Sequence, residues 1–260
     1  MAETMPSCKV SKSSSPVPLQ RSPRDLSGVK YEAVFNYTLK EHIDKNNVMG
    51  LMVVRDGKIL DQHYRHERRE TDQFTSFSVA KSMISVLIGI ALDEGLIKNL
   101  DDPVSRYTSR INESSYSKVS LRSLLRMTDS EGNELGYAFF NATQLDYAKV
   151  AVMLANMGEI NGKRIVSSEY VDQATNIERQ PEGFKFGQAQ TATGYGYQFW
   201  LREKPGRYFM QGTYGQYVGI DRDSKTILLI NSFDNAEVAG LRSIRTYRLL
   251  QGVIAATNPQ

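Results

Sequence analysis

The sequence predicts an α+β chain, one antiparallel sheet flanked by helices, and three observations carry that reading. Val48-Met-Gly-Leu-Met-Val-Val54 is a continuous apolar run. It leads through Asp56-Gly57 into a second strand-like stretch, Ile59 to Tyr64, and an Asp-Gly turn between two such runs marks a hairpin. Ser82 to Leu92 is an apolar helical run closed by Gly95, a normal residue after a helix end. Late in the chain, Tyr208 to Asp221 and Thr226 to Phe233 read as strands joined by the polar turn 221–225, with an amphipathic helix at about 236–256 behind them. No repeat is visible, and strands and helices in this order suit a single sheet with helices on both faces. The remaining elements follow from local signals. A helix is predicted over 31–45, a short one over 121–127 with Ser120 as cap, and another over 143–157 with Thr143 as cap and Gly158 as stop.

The bulk numbers set limits. At 260 residues with 40% hydrophobic composition, the chain is long enough for one domain with a substantial core, placed at 29–258. Residues 1–28, rich in Ser, Pro, Lys and Arg, read as a mobile tail. A net charge of +3 from 32 basic and 29 acidic residues offers no large basic face, so nucleic acid is not an expected partner. Cys8 is the only cysteine, which excludes an intrachain disulfide and fits a reducing compartment. The N-terminus shows no apolar signal-peptide core and no stretch is long enough to span a bilayer, so a cytoplasmic protein without membrane attachment is expected. His42, His63 and His66 form no spaced ligand set. No phosphate-binding glycine loop occurs either, so neither metal nor cofactor is expected.

The chemistry-bearing feature is Ser78-Val-Ala-Lys81 at the head of the apolar helix. A serine three residues before a lysine puts hydroxyl and amine on one helix face, a turn apart. A neutral lysine there can take the serine proton, and the helix N-terminus favours the negative charge that develops. The same spacing occurs at Ser27/Lys30 and Ser115/Lys118. Only Ser78 opens a helix apolar enough to be buried, and desolvation makes a lysine give up its proton more readily. The plainer reading is a capping serine with a lysine reaching to solvent.

Beyond that motif, Phe74-Thr-Ser-Phe-Ser-Val-Ala-Lys-Ser82, Ile88 to Ile97, Leu100-Asp-Asp-Pro-Val104, Leu124-Leu-Arg-Met-Thr128, Leu145-Asp-Tyr-Ala-Lys149, Asn161-Gly-Lys-Arg-Ile165, Tyr195-Gly-Tyr-Gln-Phe-Trp200 and Gly212-Thr-Tyr-Gly-Gln-Tyr217 together resemble the serine β-lactamase and penicillin-binding-protein superfamily. Within it the chain is similar to class C-like esterases and 6-aminohexanoate-oligomer hydrolases. The resemblance covers roughly 45–255. It implies a serine β-lactamase/transpeptidase-like fold, with Ser78 as acylated nucleophile and Lys81 as its base. Gly212, Thr213, Tyr214, Gly215 and Gln216 would form the substrate-binding third motif, with a backbone N–H near Thr213 completing an oxyanion hole. The uncharged third motif implies an esterase or amide hydrolase rather than an enzyme of β-lactams.

The chain departs from this family between Met127 and Tyr147. There the family carries a long segment with a Tyr-x-Asn motif whose tyrosine relays protons, and this sequence has none. The helical subdomain is therefore expected to be shortened. Tyr137 is the nearest remaining tyrosine, read first as a packing residue. Two functions follow as expectations. One is a weak serine hydrolase of small esters or amides working through Ser78 and Lys81. The other is a catalytically inactive member acting as a binding or regulatory protein. The surface opened by the short middle favours a homo-oligomer.

Overall fold

The computed structural model describes residues 18–33, 35–111, 114–127, 140–189, 192–233 and 239–258. Three short strands open it, β1 (Gln20–Arg21), β2 (Lys30–Glu32) and β3 (Asn36–Thr38), followed by α1 (Leu39–Lys45). The hairpin β4 (Val48–Arg55) and β5 (Lys58–Tyr64) comes next, then β6 (Phe74–Thr75) and the long helix α2 (Val79–Asp93). A middle section holds α3 (Leu121–Leu125), β7 (Asn141–Ala142), α4 (Gln144–Ala155), β8 (Glu159–Ile160), β9 (Lys163–Arg164) and α5 (Ser168–Thr175). The chain closes with β10 (Gly194–Tyr195), β11 (Trp200–Leu201), β12 (Arg207–Gly212), β13 (Gln216–Asp221), β14 (Thr226–Ser232) and α6 (Ala239–Thr257).

The main sheet runs in the order β1-β5-β4-β14-β13-β12-β11-β10. Its pairings are antiparallel apart from β1 on β5, which is parallel. Strand alternation then sorts the core. Met52, Val54, Ile227, Leu229, Val218 and Met210 face one side with α2, α4 and α5. Leu51, Val53, Leu228, Ile230, Phe209 and Tyr217 face the other with α1 and α6. A sheet covered on both faces needs apolar residues at every position, which is why β4 is continuously apolar rather than alternating.

Helix starts follow the local signals. Thr143 and Asp146 form a reciprocal capping box on α4, and the Ser120 hydroxyl accepts from the Ser123 amide at the start of α3. The β4–β5 turn puts Asp56 at φ 48° and Gly57 at φ 70°, the left-handed pair that an Asp-Gly hairpin turn uses.

Three expectations are corrected. The helix predicted over 31–45 begins only at Leu39. Its first half is the β2–β3 hairpin, with the Tyr31 and Tyr37 rings stacked at 5.6 Å, and Thr38 with Glu41 supplies a capping box that fixes where helix can start. The stretch 208–221 is two antiparallel strands rather than one, because Tyr214 (φ 62°) and Gly215 (φ 85°) reverse the chain. The tail placed at 1–28 is ordered at its end: β1 extends the sheet and Leu26 is buried between it and α6. No helix among the described residues is long and apolar enough to cross a membrane.

Candidate active site

Two walls enclose a cavity of about 250 Å³ at the end of the sheet, and Ser78, Lys81, Gly212, Thr213, Tyr214, Gly215 and Gln216 all line it. The helix wall is the first turn of α2. Ser78 is the residue before α2 in αR geometry, and its hydroxyl makes no capping bond, so the side chain is left to face the cavity. The plainer reading, a capping serine, does not fit this arrangement. Lys81 follows one turn later, half-buried. Just before the serine, Phe77 holds φ 44°, a left-handed conformation that costs a bulky residue about 1–3 kcal/mol and persists only where surrounding contacts enforce it. Those contacts are visible. The Ser76 hydroxyl donates to the Phe77 carbonyl (3.0 Å) and accepts from the Phe140 amide (2.7 Å), while the Ser76 amide donates to the Phe140 carbonyl (2.7 Å). The Phe77 ring meets Tyr214 edge-on at 5.0 Å.

The sheet wall is the β12–β13 turn. Gly212 is required there: a Cβ would stand 2.6 Å from the Ser76 carbonyl oxygen and 3.1 Å from the Phe77 Cβ, so glycine lets the end of β12 close on the backbone leading into Ser78. Gln216 lines the cavity, yet its amide is held elsewhere. It donates to the Ser232 carbonyl (2.7 Å) and accepts from Asn231 (2.9 Å), which in turn accepts from Gln144 (2.8 Å). Its side chain therefore braces the turn. Tyr214 is packed between Phe77 and Phe233, with the Phe233 ring stacked at 5.7 Å.

The lining also includes residues to which the motifs assign no role: His42, Tyr195, Gln198 and Thr246. His42 is buried and its Nδ1 pairs with the Tyr31 hydroxyl at 2.7 Å; burial pushes that phenol well above its ordinary value. Tyr195 stood in a recognised stretch of sequence, but nothing local revealed that it would line this cavity. Among the described lining residues there is no carboxylate, and Lys81 is the lysine or arginine present. Tyr137 lies outside the described residues. Lys118, of the Ser115/Lys118 pair, is exposed in a four-residue turn and does not line the cavity.

Residues 38–156, which include Ser78 and Lys81, match the family model described as Beta-lactamase. The architecture agrees across nearly the whole chain. A presumed 6-aminohexanoate-dimer hydrolase from Bacillus anthracis superposes with a TM-score of 0.78 at 17% identity, over 94% of this chain and 89% of that one. The family model spans a little under half of the chain, and the architecture shared with that structure is the serine β-lactamase/transpeptidase-like fold. A class C β-lactamase (TM-score 0.60, 12% identity, 85% and 94% of the two chains) has the same fold. So does the octameric penicillin-binding protein homologue from Pyrococcus abyssi (TM-score 0.60, 13% identity, 82% and 76%). No curated protein matches the sequence. Identities this low show the fold alone and leave activity, substrate and rate to be argued from the residues.

Proposed function

We propose that this chain is a cofactor-free serine hydrolase of small esters or amides, forming an acyl-enzyme at Ser78 with Lys81 as base. One observation carries the reading. An uncapped Ser78 hydroxyl and Lys81 sit one helical turn apart on the wall of a small cavity, beside a glycine-based turn whose backbone closes on Ser76 and Phe77, the residues leading into Ser78. Lys81 in its neutral form takes the Ser78 proton as Oγ attacks the substrate carbonyl. The Ser78 and Thr213 amides are the donors proposed to hold the developing oxyanion. Among the described lining residues no guanidinium is available to an anionic substrate, which favours neutral substrates. The short stretch between Met127 and Tyr147 lacks the family's Tyr-x-Asn motif. Loss of one general acid–base group costs about 10²–10⁴-fold, so slow turnover is expected.

The experiment is intact-protein mass spectrometry after exposure to a p-nitrophenyl short-chain ester, with wild type beside Ser78→Ala. An acyl adduct on wild type alone is expected. No adduct on folded wild type would sink the hydrolase reading.

A second reading, a non-catalytic binding or regulatory protein, is favoured by the outer face of α2. That helix is apolar on every side from Met83 to Leu92, Ser85 and Gly89 apart, yet Ile84 is 52% and Leu87 62% exposed. An all-round apolar helix is normally covered, so self-association through this face is the expected accompaniment of that reading.

A further inference from the structure

Hydrolysis through Ser78 and Lys81 needs a proton for the leaving group, and the motif that supplies it in the family is missing here. We propose that Tyr195 is that proton donor. The inference rests on the acyl-enzyme reading above and names a residue that the sequence motifs leave without a role.

The other aromatic side chains named on the cavity wall are held by their own ring and imidazole contacts. Tyr214 is wedged between two phenylalanine rings. Tyr217 is buried with its ring stacked on Phe209 at 4.9 Å, and burial holds its phenol far above the ordinary value. His42 is paired with Tyr31.

Tyr195 is held differently. It sits on the edge strand β10, paired with Trp200 of β11, and the two rings meet edge-to-face at 4.8 Å. Between them the chain turns tightly, with Gln198 at φ 66°, and this turn rests on α2. The Gln198 carbonyl accepts from the hydroxyl of Ser82, the residue beside Lys81. The Gln198 side-chain nitrogen donates to the Leu124 carbonyl at 2.9 Å. That bond fixes the amide, since a carbonyl can only accept, and so its oxygen is the atom presented to Tyr195. The Tyr195 hydroxyl donates to it at 3.1 Å, with the Met127 sulfur at 3.0 Å. The phenol is thus tied, through one glutamine, to the turn of helix that carries Lys81. Gln198 and Met127 offer it an amide oxygen and a thioether, acceptors that a developing alkoxide or amide nitrogen can outcompete.

The proton count closes. In acylation the Ser78 proton goes to neutral Lys81, Oγ bonds to the carbonyl carbon, and the bond to the leaving atom breaks as Tyr195 protonates that atom. The Lys81 ammonium then returns its proton to the Tyr195 phenolate, leaving both neutral. In deacylation water takes the place of Ser78: it loses a proton to Lys81, its oxygen bonds to the acyl carbon, and Tyr195 protonates Oγ as the ester bond breaks. Lys81 again restores the phenol.

The test is Tyr195→Phe, which keeps the ring against Trp200 and removes only the hydroxyl, assayed on acetate esters running from p-nitrophenyl to simple alkyl leaving groups. Labelling of Ser78 by a fluorophosphonate is read in parallel. The expected result is labelling within about 3-fold of wild type and p-nitrophenyl ester cleavage within about 10-fold. Alkyl ester cleavage should fall about 10²–10⁴-fold, so that the rate depends more steeply on leaving-group basicity. A uniform loss across the series, or none, overturns the role of Tyr195 while leaving the nucleophile standing. Wild type that resists labelling overturns the acyl-enzyme reading itself, and this inference with it. Gln198→Leu, which frees the phenol without removing it, serves if Tyr195→Phe fails to fold. It should steepen the same dependence by about 10-fold at the alkyl end, and an unchanged slope overturns the proposal.

Discussion

The two walls of the cavity are built by different physics. On the sheet side the β12–β13 turn is fixed by buried hydrogen bonds, a chain from Gln144 through Asn231 to Gln216 and on to the Ser232 carbonyl, and by a glycine that admits the Ser76 backbone. On the helix side α2 is held mainly by apolar packing on its inner face, with Gly89 admitting the Tyr170 ring and hydrogen bonds at Ser82 and Ser85 as its side-chain pins, while Ile84 and Leu87 face outward uncovered. Buried hydrogen bonds are directional and penalise any displacement, whereas packing on one face tolerates sliding. The sheet wall with Gly212 and Thr213 is thus held by the longer chain of directional bonds, and the placement of the helix wall with Ser78 and Lys81 depends more on what lies against it.

The largest expected effect tests the rigidity of the sheet wall at its far end. Arg207 and Asp221 pair across β12 and β13 at 2.6 Å, both largely buried. Burial alone would push the Asp221 carboxyl up, but hydrogen bonds from Ser224 and the Arg207 guanidinium hold it below the ordinary carboxylate value. Asp221→Asn leaves Arg207 buried without its charge partner and should cost about 3–5 kcal/mol in chemical denaturation near neutral pH. The sign with pH follows. The folded pKa is lower than the unfolded one, so the contribution is complete above about pH 4 and is lost as pH falls through the folded value. The stability gap between wild type and Asp221→Asn should narrow below about pH 4, and a constant gap would contradict the assignment.

Next comes the contact between the walls. Gly212→Val would place side-chain carbons where the Ser76 carbonyl stands, separating the turn from Ser78. A misplacement of about 1 Å costs on the order of 10²-fold in rate, so kcat/KM on a p-nitrophenyl ester should drop by about that factor with Ser78 still present. Unchanged kinetics would mean that the turn takes no part.

Within the sheet wall, Asn231→Ala strands the amides of Gln144 and Gln216. A loss of about 1–3 kcal/mol is expected, read as a fall in Tm of several degrees. The smallest effect sits on the helix wall. Ile84→Lys with Leu87→Lys should change monomer stability by less than about 0.5 kcal/mol each. If wild type self-associates through α2, sedimentation velocity should show the double variant shifted to monomer; association that persists would place the interface elsewhere.

Much of this was legible in the chain. The apolar runs and turn residues located β4, β5, α2, α4 and α6 because each is specified by neighbours a few residues away. Ser78 and Lys81 were legible for the same reason: their shared face is a property of helical spacing. The reversal at Tyr214 was not legible, since a tyrosine carries no local signal for positive φ and only its packing between Phe77 and Phe233 holds it there. Nor was Tyr195, whose place depends on the Gln198 carbonyl meeting Ser82 across 116 residues of sequence. By itself the sequence determined most of the elements and the shared face of Ser78 and Lys81, since period, caps and motifs act over short range. Only the tertiary structure decided which tyrosine, histidine and glutamine share a cavity with that pair, because packing brings together residues whose local sequences say nothing of one another.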